Sequence, residues 1–171
     1  MIKYIGAVVI IVSCVYSTLK AVKKLRDREK SMQSLCTSME ILKDEISNHL
    51  TPIPEVFEKL AERSQYPANK LYKNALEEMK NIGSCSFFSI WKKAVAETEE
   101  LLLTEPEKQV LGEIGLTLGR YDVKNQEGMI NRVISRFDFY RKRAEDDRRQ
   151  NTKTQAYLGI ISGVFVVIVL L

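Results

Sequence analysis

Met32-Gln33-Ser34-Leu35-Cys36-Thr37-Ser38-Met39-Glu40-Ile41-Leu42-Lys43-Asp44-Glu45-Ile46-Ser47-Asn48-His49-Leu50 is the stretch that decides the fold. Met32, Leu35, Met39, Leu42, Ile46 and Leu50 recur three or four residues apart, so they share one face of a helix. Upstream, Leu25 and Val22 continue the same face. Downstream, Thr51-Pro52-Ile53-Pro54 ends it, because proline removes a backbone donor and drives the preceding residue out of the helical region.

The rest of the middle reads the same way. Val56, Phe57, Leu60 and Ala61 define a short second helix, and Tyr66-Pro67 breaks the chain after it. A third helix carries Leu71, Ala75, Met79 and Ile82 and stops at Gly83. Ser86 or Ser89 caps a fourth, which contains Phe87, Trp91, Ala94, Val95 and Leu102. Thr104-Glu105-Pro106-Glu107 is a capping box with proline in the first turn, and it opens a fifth helix through Val110, Leu111, Ile114 and Leu118 to Gly119. A sixth begins near Asp122, presents Met129, Ile130, Val133, Ile134 and Phe137, and runs on toward the C-terminus. No stretch alternates at period two. The expected fold class is all-α, an antiparallel six-helix bundle.

Outward from that middle the composition changes abruptly. Residues 4–19 and 156–171 are two charge-free apolar stretches of 16 residues each. As helices each spans roughly 24 Å, somewhat short of a ~30 Å hydrocarbon core, so flanking residues, local thinning or neighbouring helices would cover the difference. All 22 acidic residues lie between the two stretches. Residues 20–30 carry a net charge of +4, residues 141–153 a net +3, and residues 31–140 a net −4. Two basic collars on the inner sides of two apolar stretches place the middle in the cytoplasm by the positive-inside rule. The expected organisation is an N-terminal transmembrane segment (1–19), a cytoplasmic helical domain (20–155) and a C-terminal transmembrane segment (156–171).

Rival readings fare worse. A cleaved signal peptide lacks an A-x-A site and is followed directly by Lys20, Lys23 and Lys24. Ile11-Val12-Ser13-Cys14 looks like a lipobox, but that reading puts the domain outside and leaves the collars without a role; lipidation of Cys14 stays open. Burial of both stretches in a soluble core fits neither their even hydrophobicity nor their terminal positions. A nucleic-acid site is disfavoured by the acidic core.

The search for chemistry finds no catalytic constellation, so the chain reads as a non-enzyme with no cofactor. His49 has no second histidine or cysteine at ligand spacing and reads as a surface residue near a helix end. There is no G-x-x-x-x-G-K-[ST] loop and no G-x-S-x-G elbow. Cys36 and Cys85 read as reduced, buried thiols.

One cluster stands out: Leu111-Gly112, Leu118-Gly119-Arg120-Tyr121-Asp122 and Gln126. Gly112 and Gly115 sit inside an amphipathic helix, where each costs about 1 kcal/mol relative to alanine. Close helix approach would offset that cost, and so would an interface. Gly119 reads as the residue ending one helix, while Asp122 and Gln126 divide evenly between structural and interface roles. Gly159 and Gly163, four apart in the last apolar stretch, form a weak helix-packing signal.

These residues carry a resemblance. The two apolar ends, Thr51-Pro52-Ile53-Pro54-Glu55, Phe88-Ser89-Ile90-Trp91 and the Leu-Gly…Leu-Gly-x-x-Asp…Gln signature resemble the stage III sporulation protein AB family of endospore-forming bacteria across essentially the whole chain. More distantly the chain resembles the cytoplasmic domain of the F-type platform proteins of type II secretion and type IV pilus machines. Those proteins usually carry a Gly-Glu-x-Ser-Gly-like turn. Here the turn is Gly119-Arg120-Tyr121-Asp122, so a role tied to that glutamate does not carry over.

The resemblance implies a membrane platform of the mother cell, in the membrane around the forespore, within a secretion-like channel complex. The implied partners are that complex's secretion-type ATPase and its other membrane subunits, with a homodimer as a candidate state and no nucleic acid. Leu111, Gly112, Leu118, Gly119, Asp122 and Gln126 become candidate interface residues. A scaffold that binds only membrane subunits through its spans, with Gly159 and Gly163 at the contact, is the alternative.

Overall fold

The computed structural model describes residues 2–80, 86–118 and 123–170; within the helical ends the side chains of some residues, including much of 4–19 and 156–171, lie outside that description. The described residues form six α-helices: α1 (Ile2–Ser47), α2 (Ile53–Arg63), α3 (Ala68–Lys80), α4 (Phe87–Glu97), α5 (Glu105–Thr117) and α6 (Val123–Leu170), with a 3-10 turn at Glu99–Leu101. Among them there is no strand. The chain divides into two compact units, Met1–Glu29 with Arg143–Leu171, and Lys30–Lys142. Among the described residues no helix is long and apolar enough to cross a membrane.

Within the Lys30–Lys142 unit, Met32, Leu35, Met39 and Leu42 are completely buried and Ile46 nearly so. The expected face is therefore the core face. It does not extend to Leu50. That residue is 68% exposed with φ of 52°, because α1 ends at Ser47 and the chain turns through a left-handed conformation there. The turn is held by Glu45. Its Oε2 accepts from Thr51 Oγ1 at 2.8 Å and from Lys59 Nζ at 2.8 Å, which fastens the end of α1 to α2. These bonds hold the Glu45 carboxyl below the usual carboxylate range, Lys59 first and Thr51 second.

The proline pair does more than stop α1. Pro52 is the N-cap of α2, and Pro54 sits inside its first turn, where a missing N–H costs no helical bond. The helix buries Val56, Phe57, Leu60 and Ala61, as its spacing predicts. The Tyr66-Pro67 peptide bond is cis. α3 buries Ala68, Leu71, Tyr72 and Ala75, with Met79 only half-buried. Ile82 and Gly83 lie outside the described residues.

Ser86 is the cap of α4: its Oγ accepts from the Ser89 N–H. Leu102 does not belong to α4. The helix ends at Glu97, Thr98 Oγ1 donates to Ala94 O at 2.7 Å, and the 3-10 turn places Leu101 in the core while Leu102 takes φ of 52°. Both halves of the Thr104/Glu107 capping box are formed, with Pro106 in the first turn of α5. In α6, Ile130, Val133 and Phe137 are buried, while Met129 and Ile134 are half-buried.

Consecutive helices pack on one another, α2 on α3, α3 on α4 and α4 on α5. Where they meet, Phe57, Tyr72 and Trp91 form an aromatic cluster with ring centroids 5.3 to 6.1 Å apart. Burying each such ring stabilises the fold by about 1.5–3 kcal/mol, and ring pairs at this spacing add about 0.5–1.5 kcal/mol. Tyr72 Oη donates to Ser38 Oγ at 3.0 Å, tying α3 to α1.

Candidate functional site

α4 and α5 enclose a groove of about 370 Å³. α4 supplies Phe88, Lys92, Val95 and Ala96; α5 supplies Glu105, Lys108, Gln109, Gly112, Glu113 and Leu116. The capping box starts α5 at the correct residue, and that start fixes which face of α5 turns toward α4. The two glycines of α5 then separate in meaning. A Cβ on Gly115 would stand 2.8 Å from Trp91 Cδ1 and 3.1 Å from Trp91 Cβ, so the helices meet at Gly115 without room for a side chain. Trp91 cannot easily yield, because its ring is completely buried and its Nε1 donates to Leu111 O at 2.8 Å.

Gly112, one turn earlier, is different. Among the described residues a Cβ there would meet nothing within 4 Å, and the residue lines the groove. No packing contact among the described residues offsets its propensity cost of about 1 kcal/mol. What the missing side chain provides is depth. Above it stand the half-buried Phe88 and Leu116, which is 47% exposed. The rim carries both signs: Lys108 pairs with Glu105 at 2.9 Å, and Glu113 reaches Arg136 of α6 at 3.3 Å. Such a groove suits an apolar knob held between charges.

The other candidates fall elsewhere. Leu111 and Leu118 are buried and contribute packing; Leu111 also offers its carbonyl to Trp91. Gln126 is 6% exposed, on the buried side of α6. Gly119 and Asp122 lie outside the described residues. Gly159 and Gly163 are within α6, but their surroundings lie outside the description. His49 is exposed, 3.6 Å from Asp44, as expected of a surface residue near a helix end. Among the described residues no group of three or more His, Cys, Asp or Glu side chains could hold a metal. Cys36 is free and buried, its thiol pushed up to about 11 chiefly by burial.

Sequence reading missed the polar groups of the core. Ser31, Ser34 and Ser38 are buried along α1, and Ser31 donates to Leu101 O. Their spacing of three and four residues repeats that of the neighbouring apolar positions, and that was the available signal. Tyr72, one residue beyond Leu71, was missed in the same way.

The family model for stage III sporulation protein AB matches residues 3–171. The Stage III sporulation protein AB of Bacillus subtilis (strain 168) is 25% identical over 172 residues, covering 100% of both chains. A solved structure of a stage III sporulation protein AB superposes with a TM-score of 0.64 at 22% identity, over 72% of this chain and 98% of that one, which is a likeness of fold.

Proposed function

The chain belongs to the stage III sporulation protein AB family, and on that premise we propose that it is a membrane platform whose helical bundle docks a secretion-type ATPase. The observation that carries this reading is the length of α1 and α6. Each is one helix, of 46 and 48 residues, that includes a charge-free apolar stretch and the first or last core helix of the Lys30–Lys142 unit. At about 1.5 Å per residue a ~30 Å hydrocarbon core takes up about 20 residues, fewer than half of either helix. With residues 4–19 and 156–171 as spans, the remainder of both helices stands outside the bilayer as part of the bundle.

In this reading the bundle faces the cytoplasm, the side that the positive-inside rule favours for two basic collars, and the family resemblance makes that cytoplasm the mother cell's, beneath the membrane around the forespore. The chain has no nucleotide-binding loop of its own, so work must be supplied by a partner. The α4–α5 groove over Gly112 is the docking face, and a partner's conformational cycle would reach the membrane subunits of the channel complex through α1 and α6.

The test is binding of the complex's purified ATPase to the full chain held in lipid nanodiscs. Wild type should bind, and Gly112→Leu should lose binding without a lowered melting temperature. A folded wild type that fails to bind refutes the docking role. Binding that survives Gly112→Leu moves the docking face away from the groove. In the rival scaffold reading, bulky residues at Gly159 and Gly163 abolish assembly with other membrane subunits while groove variants have no effect.

A further inference from the structure

In the unit formed by Met1–Glu29 and Arg143–Leu171, charges are distributed unevenly along the two helices. Arg148 pairs with Glu29, and Arg149 with Glu145 at 2.8 Å. Closer to the apolar stretches this pairing stops. Lys23, Lys24 and Lys153 are exposed, and among the described residues none has an acid partner. Lys20 is exposed as well, with its Nζ 5.1 Å from the centroid of the Tyr16 ring.

The Glu29–Arg148 pair sets a register. Lys24 and Lys153 each stand five residues from it, about 7.5 Å along their own helices; Lys20 and Tyr157 each stand nine residues away, about 13.5 Å. Both counts run toward the apolar stretches. Beyond Lys20 comes Tyr16, 61% exposed, and Tyr157 is 66% exposed. Two tyrosines at the inner margin of two apolar stretches, with lysines at and just beyond their level, match the layering of a membrane interface, whose headgroup zone is about 5–8 Å deep on each side. Tyr16, Lys20, Lys23 and Lys24 share one face of α1 by their spacing of three and four.

We propose that Lys20, Lys23 and Lys24 of α1 with Lys153 of α6 form a binding site for the headgroups of anionic phospholipids. Among the described residues these ammonium groups have no acid partner, and in the proposed site lipid phosphates supply the counter-charge. A residue of this kind near an anionic surface contributes about 1 kcal/mol, or roughly a fivefold preference. This inference rests on the reading of residues 4–19 and 156–171 as spans.

The full chain is reconstituted in nanodiscs of equimolar phosphatidylglycerol and phosphatidylcholine, then extracted in mild detergent, and the retained lipids are counted by native mass spectrometry. Wild type should retain phosphatidylglycerol at least fivefold over phosphatidylcholine. Lys20→Gln/Lys23→Gln/Lys24→Gln/Lys153→Gln should retain the two equally and still insert, while Lys73→Gln/Lys80→Gln behaves as wild type. Equal retention by an inserted wild type overturns the proposal, and so does enrichment that survives the four substitutions. A chain that associates with neither lipid refutes the spans themselves. Loss of single-stranded RNA binding in the fourfold variant, with lipid retention unchanged, assigns the cluster to nucleic acid and overturns the proposal.

Discussion

Gly115 and Trp91 touch so closely that a Cβ on the glycine would lie 2.8 Å from Trp91 Cδ1, which leaves no room for a side chain where α5 meets α4. One turn earlier on the same helix, Gly112 lines the groove, and among the described residues nothing lies within 4 Å of its missing Cβ. The same residue type thus serves packing at one position and leaves space at the other.

That difference is measurable. Gly115→Ala should destabilise the fold by about 1–3 kcal/mol, since the added methyl displaces a pinned indole. Gly112→Ala should be neutral or stabilising by up to about 1 kcal/mol. Denaturant unfolding followed by the fluorescence of the chain's single tryptophan reads both. Equal losses at the two positions would contradict the assignment.

Tyr72 and Ser38 should be energetically coupled through their 3.0 Å hydrogen bond. Tyr72→Phe and Ser38→Ala should each cost about 1 kcal/mol, and the double variant should cost less than their sum. Strict additivity in a double-mutant cycle would deny the bond any weight.

The Glu45 clasp should make stability depend on pH. Its carboxyl is held below its ordinary range by Lys59 and then Thr51, so its contribution is present above the unfolded carboxylate value and is lost as pH falls through the folded one. Glu45→Gln should therefore lower the melting temperature near neutral pH, with the deficit shrinking once acid protonates the wild-type carboxylate. A deficit constant down to the acid limit would contradict this.

Cys36 should resist alkylation. Its thiol is buried and pushed up to about 11, so at pH 8 almost no thiolate is present in the folded chain. In a variant lacking Cys14 and Cys85, iodoacetamide should modify Cys36 only when denaturant unfolds the protein. Rapid labelling of the native state would show the face around α1 to be open.

Much of the fold was legible because apolar spacing and caps are local signals. Met32 through Ile46, Val56 through Ala61, and the Thr104/Glu107 box were each specified within a few residues of themselves. Leu50 and Leu102 were misplaced because apolarity alone cannot report a left-handed turn, and both adopt φ of 52°. Glu45, Ser38 and Tyr72 escaped notice because their roles depend on partners 14 and 34 residues away. The site was partly legible. The glycine pair in α5 was visible as an anomaly, but only the position of Trp91 separates Gly115 from Gly112. Leu111 and Leu118, grouped with them by motif, are core residues.

On the proposed reading the bundle lies in the cytoplasm, rooted by the two apolar stretches, and thiol labelling tests this directly. Cys14, Cys36 and Cys85 are replaced and one cysteine is introduced at the exposed Lys73 on α3 as Lys73→Cys. Intact cells are then treated with a membrane-impermeant thiol reagent. A cytoplasmic bundle should be labelled only after the membrane is opened. Labelling in intact cells would place the bundle outside, restore the lipobox reading of Cys14, and contradict docking to a cytoplasmic ATPase.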